Sequence, residues 1–156
     1  SYGEGDYGFP YTLTKLIHRK LMFLSDKTIW IHLANIEMVA EAFVKAFESE
    51  YHDKKIYNLA DRYPIKLNEL VDFISERLTG KSYPASRYIS RDVFTKGEQL
   101  AERYRIENLQ NRIRLISKSW FYDTTNTYND LHLKQTKTIP DFKVVVDWYK
   151  KLKGLK

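Results

Sequence analysis

Apolar side chains recur at helical spacing in five stretches of the chain. The first stretch begins at about Tyr11 and its apolar positions continue to Leu24, where Ser25-Asp26-Lys27 predicts the end of a helix. The other predicted helices cover residues 36–48, residues 67–78 with a stop at Gly80, part of the charged segment 90–117 with a candidate break at Gly97, and the residues after Pro140.

Short runs of β-branched and aromatic residues lie between the helical stretches. Thr28–Leu33 and Lys55–Leu59 each predict a short strand, and Trp120–Tyr122 predicts an extended piece before a polar stretch rich in Thr and Asn. The first half therefore has a β-α-β-α rhythm. We expect an α/β fold, or α+β for this piece taken alone, that is mainly helical with a few short strands.

The composition indicates one globular domain. The chain has 156 residues, of which 43% are hydrophobic and 15% aromatic, enough for one core and too many for a disordered chain. Lys+Arg 26 against Asp+Glu 20 gives a formal net charge of +6. The absence of cysteine excludes disulfides, zinc–thiolate sites and iron–sulfur clusters, and makes a cytoplasmic setting the default expectation.

No apolar run approaches the length of a transmembrane helix, and the start of the chain lacks the basic and apolar regions of a signal peptide, so no membrane partner is expected. Because the chain begins with Ser1 and not with Met, we expect a processed product or a piece of a longer protein.

Two short motifs match the sequence patterns of functional sites but lack the structural setting that those sites need. Residues 3–8 satisfy G-x-G-x-x-G, yet no strand can precede them, and Glu4 and Asp6 would repel a pyrophosphate. We therefore interpret them as a turn. Tyr11 and Lys15 have the Y-x-x-x-K spacing that can lower a phenol pKa, but aromatic and lysine residues are abundant, and an ordinary amphipathic helix explains the pair.

The other polar residues predict little chemistry. The four histidines are scattered without metal-ligand spacing, so no metal site is expected, and His32 is interpreted as a hydrogen-bonded core residue. Four aspartates are interpreted as turn residues: Asp6, Asp26, Asp61 and Asp123.

The basic excess gathers in the second half of the chain. Basic and aromatic residues alternate there in a pattern that could bind phosphates: Arg103, Tyr104, Arg105, Arg112, Arg114, Lys118 and Trp120. Three glutamates in the same segment reduce the positive electrostatic potential that phosphate binding needs. A solvated helix with i,i+4 ion pairs explains the charge pattern more simply. Nucleic-acid binding is therefore the least favoured function.

Several segments are similar, in order, to motifs of one family. Residues 2–6 are similar to Y-G-P-G-D, with Glu4 in place of Pro, and residues 36–42 to V-D-D-V-A-x-A, with Met38 in place of the second Asp. Further similar segments are 55–59, 67–70, 120–125 with Leu131, and 147–149, with His132 in place of a glycine. Together they resemble the extended short-chain dehydrogenases/reductases, the NAD-dependent epimerase/dehydratase family.

The resemblance implies a C-terminal, substrate-binding part of such an enzyme, a single domain over residues 1–156 without its N-terminal Rossmann domain. The dinucleotide loop and the catalytic Ser and Y-x-x-x-K of that family precede the Y-G-x-G-D loop. The resemblance therefore implies that this chain holds no catalytic or cofactor-binding residue and is inactive alone. It also implies that the full-length enzyme uses NAD or NADP. Residues implied near the substrate are Tyr2, Phe9, Tyr11 and Asn35; packing at the helix start is an equal alternative for Phe9 and Tyr11.

The resemblance leaves the substrate open. The similar segments are closer to those of hydroxysteroid dehydrogenases and dihydroflavonol reductases, which act on ketones or alcohols. Nucleotide-sugar epimerases and dehydratases share most of the same scaffold. The alternative is a binding module that has this fold without the chemistry. A piece separated from its Rossmann domain should expose apolar surface and self-associate.

Overall fold

The computed structural model describes residues 1–48 and 56–155. The chain divides into two compact units. The first unit comprises Ser1–Thr14, His32–Pro64 and Phe121–Lys156, and the second comprises Lys15–Ile31 and Ile65–Trp120. The expectation of a mainly helical fold with a few short strands is confirmed. That residues 1–156 form one substrate-binding domain of a longer enzyme stays a prediction.

Helices dominate the first unit. Helix α1 (Phe9–His18) begins there and continues into the second unit after Thr14. Helix α2 (Ile36–Glu48) packs one face against α6 (Thr125–Leu131), in a cluster of Met38, Ala42, Tyr128, Leu131 and Leu133. The short α7 (Thr138–Asp141) leads into α8 (Lys143–Lys153), which buries Val145, Val146 and Tyr149.

The second unit holds the strands and three helices. Strand β1 (Leu24–Ser25) pairs in parallel with β4 (Tyr88–Ile89), and β2 (Trp30–Ile31) pairs antiparallel with β3 (Ile65–Lys66). Helix α3 (Leu67–Thr79) buries one apolar face. A 3₁₀ turn, Ala85–Arg87, precedes β4, and α4 (Arg91–Arg103) then packs against α5 (Glu107–Ser117) as a helical hairpin.

Three predicted helices are confirmed: α2, α3 and α8. Helix α3 stops where its sequence predicts, because Gly80 adopts a φ of 71° and donates its N–H to the Glu76 carbonyl.

The first helix is shorter than its apolar pattern predicts. It ends at His18 because Lys20 adopts a left-handed φ of 54°. The N–H groups of Lys20 and Leu21 donate to the carbonyls of Ile17 and Leu16 at 2.9 and 2.8 Å, which closes the helix in a Schellman motif. A lysine carries no sequence signal for this stop.

The predicted strands were too long. Within Thr28–Leu33 only Trp30–Ile31 is a strand. Among the described residues 56–59 none is in a strand, and Lys55 lies outside the described residues. The Asn58 carbonyl accepts a hydrogen bond from the Thr127 hydroxyl at 2.9 Å, so a side chain takes a group that a ladder would use.

The charged segment 90–117 forms two helices, and the predicted break at Gly97 is wrong. The break lies at Arg105, which has a φ of 55°. Gly97 is instead part of α4, and a Cβ placed there would lie 3.5 Å from Cδ1 of Ile113 on α5. That is an ordinary contact distance, so the packing of the hairpin does not require glycine at this position. The polar stretch after Tyr122 contains α6, which the sequence analysis missed.

Candidate functional site

A buried aspartate joins several segments of the first unit. Asp61 is fully buried, and four groups donate hydrogen bonds to its carboxylate. Oδ1 accepts from the Asn35 N–H at 3.1 Å and from the Thr136 hydroxyl at 2.7 Å. Oδ2 accepts from the Tyr2 hydroxyl at 2.8 Å and from the Thr138 hydroxyl. Two donors on each oxygen satisfy the buried charge, so Asp61 is suited to position these segments and not to accept a proton from a substrate.

The phenol of Tyr2 is held in its neutral, donating form. Tyr2 is fully buried, and its ring centroid lies 5.4 Å from that of Phe142. Burial raises the pKa of Tyr2 well above its ordinary value, and the negative charge of Asp61 raises that pKa further. Tyr2 is therefore a permanent hydrogen-bond donor to Asp61 at physiological pH.

The backbone of Tyr2 is hydrogen-bonded to residues at the start of α2. The Tyr2 N–H donates to the Ala34 carbonyl at 2.8 Å, and the Ile36 N–H donates to the Tyr2 carbonyl at 3.0 Å. A Cβ placed at Gly3 would overlap Cγ2 of Ile36. Glycine at this position therefore lets the loop approach the helix closely.

The loop after Gly3 is a turn, as expected. Asp6 Oδ1 accepts the N–H of Gly8 at 2.8 Å, the arrangement of an Asx turn, and α1 begins at the next residue. Asp123 Oδ1 likewise accepts the N–H of Thr125 at 2.9 Å.

A groove of about 390 Å³ lies in the first unit beside the Asp61 cluster. Asn35 and Thr136 line it, and both donate to Asp61. Its charged lining residues are Glu4, Glu37, Glu41, Lys134, Asp141 and Lys143. With four carboxylates and two lysines, the groove favours neutral polar groups over phosphates.

The structure brings together two of the four residues implied near a substrate. Tyr2 and Asn35 form a β-bridge and share Asp61. Tyr11 lies elsewhere in the first unit, with its ring centroid 5.9 Å from Trp148 and 5.6 Å from Tyr149 on α8. Phe9 is half-buried at the first residue of α1.

Asp61 is the residue that sequence reasoning missed. Its position before Arg62, Tyr63 and Pro64 favoured a turn, and the buried carboxylate corrects that interpretation. The signal was weak: a carboxylate directly after the apolar pair Leu59-Ala60, at the end of a stretch interpreted as a strand.

His32 is a hydrogen-bonded core residue, as predicted. Its Nδ1 accepts the N–H of Tyr122 at 3.2 Å, so Nε2 carries the proton and donates to the Asp61 carbonyl at 2.6 Å. Among residues 1–48 and 56–155, no group of three or more His, Asp or Glu side chains is placed to hold a metal ion. His52 lies outside these ranges.

The basic segment of the second unit is partly neutralised. Glu98 Oε1 accepts from Arg114 Nε at 2.6 Å and from Lys118 Nζ at 2.8 Å, and these contacts lower the pKa of Glu98. The pairs join α4 to α5 and its C-terminal cap, and are not the i,i+4 pairs of one helix that the sequence suggested. Two of the candidate phosphate-binding cations are therefore engaged within the protein.

Comparison with known proteins finds no match: no family model, no curated protein and no solved structure matches the chain. In the described part of the chain, no helix has both the length and the apolar character needed to cross a membrane.

Proposed function

We propose that the chain is the substrate-binding part of an NAD(P)-dependent oxidoreductase of the extended short-chain dehydrogenase/reductase type. Such an enzyme would be cytoplasmic, and residues 1–156 alone would be inactive. NAD or NADP would supply the hydride chemistry from a Rossmann domain, and this chain would supply walls of the substrate pocket.

The observation that carries the proposal is the assembly of the similar segments. The loop at Tyr2 pairs with Asn35 and lies against the start of α2, and Leu131 packs on Met38 and Ala42 of that helix. Three segments distant in sequence, each similar to a motif of one family, thus meet in one unit.

His132 supports the same proposal. It stands where the family motif has a glycine, and it adopts a φ of 49°, the left-handed conformation that glycine adopts most easily. The backbone thus has the conformation that the motif's glycine favours, although the residue differs.

The charge of the groove favours a ketone or secondary alcohol as the substrate. A nucleotide sugar carries a diphosphate, which would meet more carboxylates than lysines along the groove. A neutral ketone or alcohol pays no such electrostatic cost, and the side chains around Asn35 and Thr136 offer hydrogen bonds.

The proposal is tested by the coding sequence upstream of the Ser1 codon. We expect an open reading frame that encodes a strand, a glycine-rich loop and a helix, followed by a Y-x-x-x-K. A start codon directly before Ser1 would overturn the proposal. Where the longer frame exists, the full-length protein should oxidise NAD(P)H with a ketone panel and not with UDP-sugars.

A further inference from the structure

Helix α2 has a second apolar face that no described residue covers. Its buried face carries Met38 and Ala42, whereas a separate stripe at helical spacing points to solvent. The α2 stripe consists of Ile36, Ala40, Phe43, Val44 and Phe47, and Phe43 and Phe47 are 68% and 93% exposed. Single exposed apolar residues are ordinary, but a continuous stripe over three turns marks an interaction surface.

One edge of the α2 stripe carries three glutamates, and the exposed Lys45 lies just beyond them, so this side of the helix is acidic by two charges. Glu37, Glu41 and Glu48 are spaced so that they follow the same side of the stripe along the helix. An antiparallel two-fold pairing of two α2 stripes would place this edge against the same edge of the partner, whereas a parallel pairing would place it against the opposite, uncharged edge. The like charges would repel in the antiparallel pairing and would stay unpaired in the parallel one. The glutamate edge therefore favours a partner with basic side chains beside its apolar ones.

The same chain exposes a surface of that chemistry. The hairpin tip, where α4 passes into α5, carries the exposed apolar residues Leu100, Tyr104, Ile106 and Leu109 and the exposed arginines Arg103, Arg105 and Arg112. Glu102 and Glu107 share the tip, so arginine is in excess by one. Tyrosine and arginine are the residue types that most often anchor protein interfaces.

We propose that the α2 stripe of one copy of this chain binds the hairpin tip of a second copy. The apolar side chains would pack against each other, and the arginines would lie along the glutamate edge. Because the two surfaces differ, the contact is head-to-tail and assembles copies into a ring or an open chain, not into a two-fold dimer. The proposed function offers another occupant for the α2 stripe, the Rossmann domain that this piece would lack. That occupant would leave the hairpin tip unused, so Tyr104→Asp would then not change the association.

The test is the concentration dependence of the mass of residues 1–156, measured by light scattering and sedimentation. We expect the weight-average mass to rise with concentration and the association to weaken in high salt. Phe47→Asp and Tyr104→Asp each remove one surface, at positions 93% and 69% exposed, and each variant alone should be a monomer. Phe121→Asp, 59% exposed outside both surfaces, should associate like the wild type.

Mixing the two variants gives the sharpest result. Each retains the surface that the other lacks, so an equimolar mixture should form a one-to-one complex and nothing larger. Glu41→Arg and Arg103→Glu should each weaken association about two- to fivefold, as for exposed ion pairs, and the double variant should recover it.

Three results would overturn the proposal. The first is a wild type that stays monomeric at all concentrations. The second is association that Phe47→Asp abolishes and Tyr104→Asp does not, which would indicate α2 against α2. The third is a mixture of the two variants that fails to combine while circular dichroism shows both to be folded.

Discussion

At the scale of single residues, the buried carboxylate of Asp61 joins several segments of the first unit. Its two oxygens accept four hydrogen bonds, and its side chain is fully buried. Asp61→Asn replaces one acceptor oxygen by an NH₂ group that faces donors, so we expect a loss of about 3 kcal/mol in the free energy of unfolding. Urea denaturation measures this loss.

The matched control is Asp6→Asn, because Asn also forms Asx turns and Asp6 is only half-buried. That variant should change the free energy of unfolding by less than about 0.5 kcal/mol. Equal effects of the two substitutions would contradict the role given to Asp61.

His132 provides a second test at the residue scale. Its left-handed backbone costs a residue with a Cβ about 1–2 kcal/mol, whereas glycine avoids that strain and loses more chain entropy on folding. His132→Gly should therefore raise stability by up to about 1 kcal/mol. His132→Ala keeps a Cβ and should give no gain; an equal gain in both variants, seen in thermal melts, would refute the strain argument.

At the scale of elements, two glycines should respond in opposite ways to alanine. A Cβ at Gly97 meets Ile113 at an ordinary contact distance inside α4, so Gly97→Ala should stabilise by about 0.5–1 kcal/mol through helix propensity. A Cβ at Gly3 overlaps Ile36, so Gly3→Ala should destabilise by about 1–3 kcal/mol. Ile36→Ala in the Gly3→Ala background should recover much of that loss, and its failure to do so would exclude the overlap as the cause.

The link between α4 and the end of α5 predicts a pH dependence. Hydrogen bonds from Lys118 and Arg114 lower the pKa of Glu98 in the folded state below its ordinary value of 4.5. The stabilisation is therefore present above pH 4.5 and is lost as the pH falls through the lowered folded pKa. The difference in stability between wild type and Glu98→Gln should shrink over that acidic interval, and a constant difference would argue against the pairing.

The ends of elements explain which of them the sequence could predict. Helices α2 and α3 were predicted to their ends because a wide apolar stripe and Gly80 are visible in the sequence. The ends of α1 and α4 were not, because Lys20 and Arg105 adopt left-handed backbones that only tertiary context imposes on such residues. The lengths of the short strands were predicted wrongly for a related reason, because the length of a strand depends on the segment with which it pairs.

The candidate site was predictable only in part. The resemblance selected Tyr2 and Asn35, which the fold brings together, but Asp61 could not be found because burial of a carboxylate depends on donors from distant segments. Two of these donors, Thr136 and Thr138, follow a polar stretch without any apolar periodicity.

At the scale of the whole molecule, the proposed function predicts how the chain responds to cofactor. Only ligands of the folded state raise the melting temperature, and the resemblance places the dinucleotide-binding loop outside residues 1–156. NADH and NADPH should therefore leave the melting temperature of residues 1–156 unchanged, while one of them raises that of the full-length protein. A saturable shift with residues 1–156 would mean that this chain itself holds a dinucleotide site, and the division of labour between two domains would be wrong.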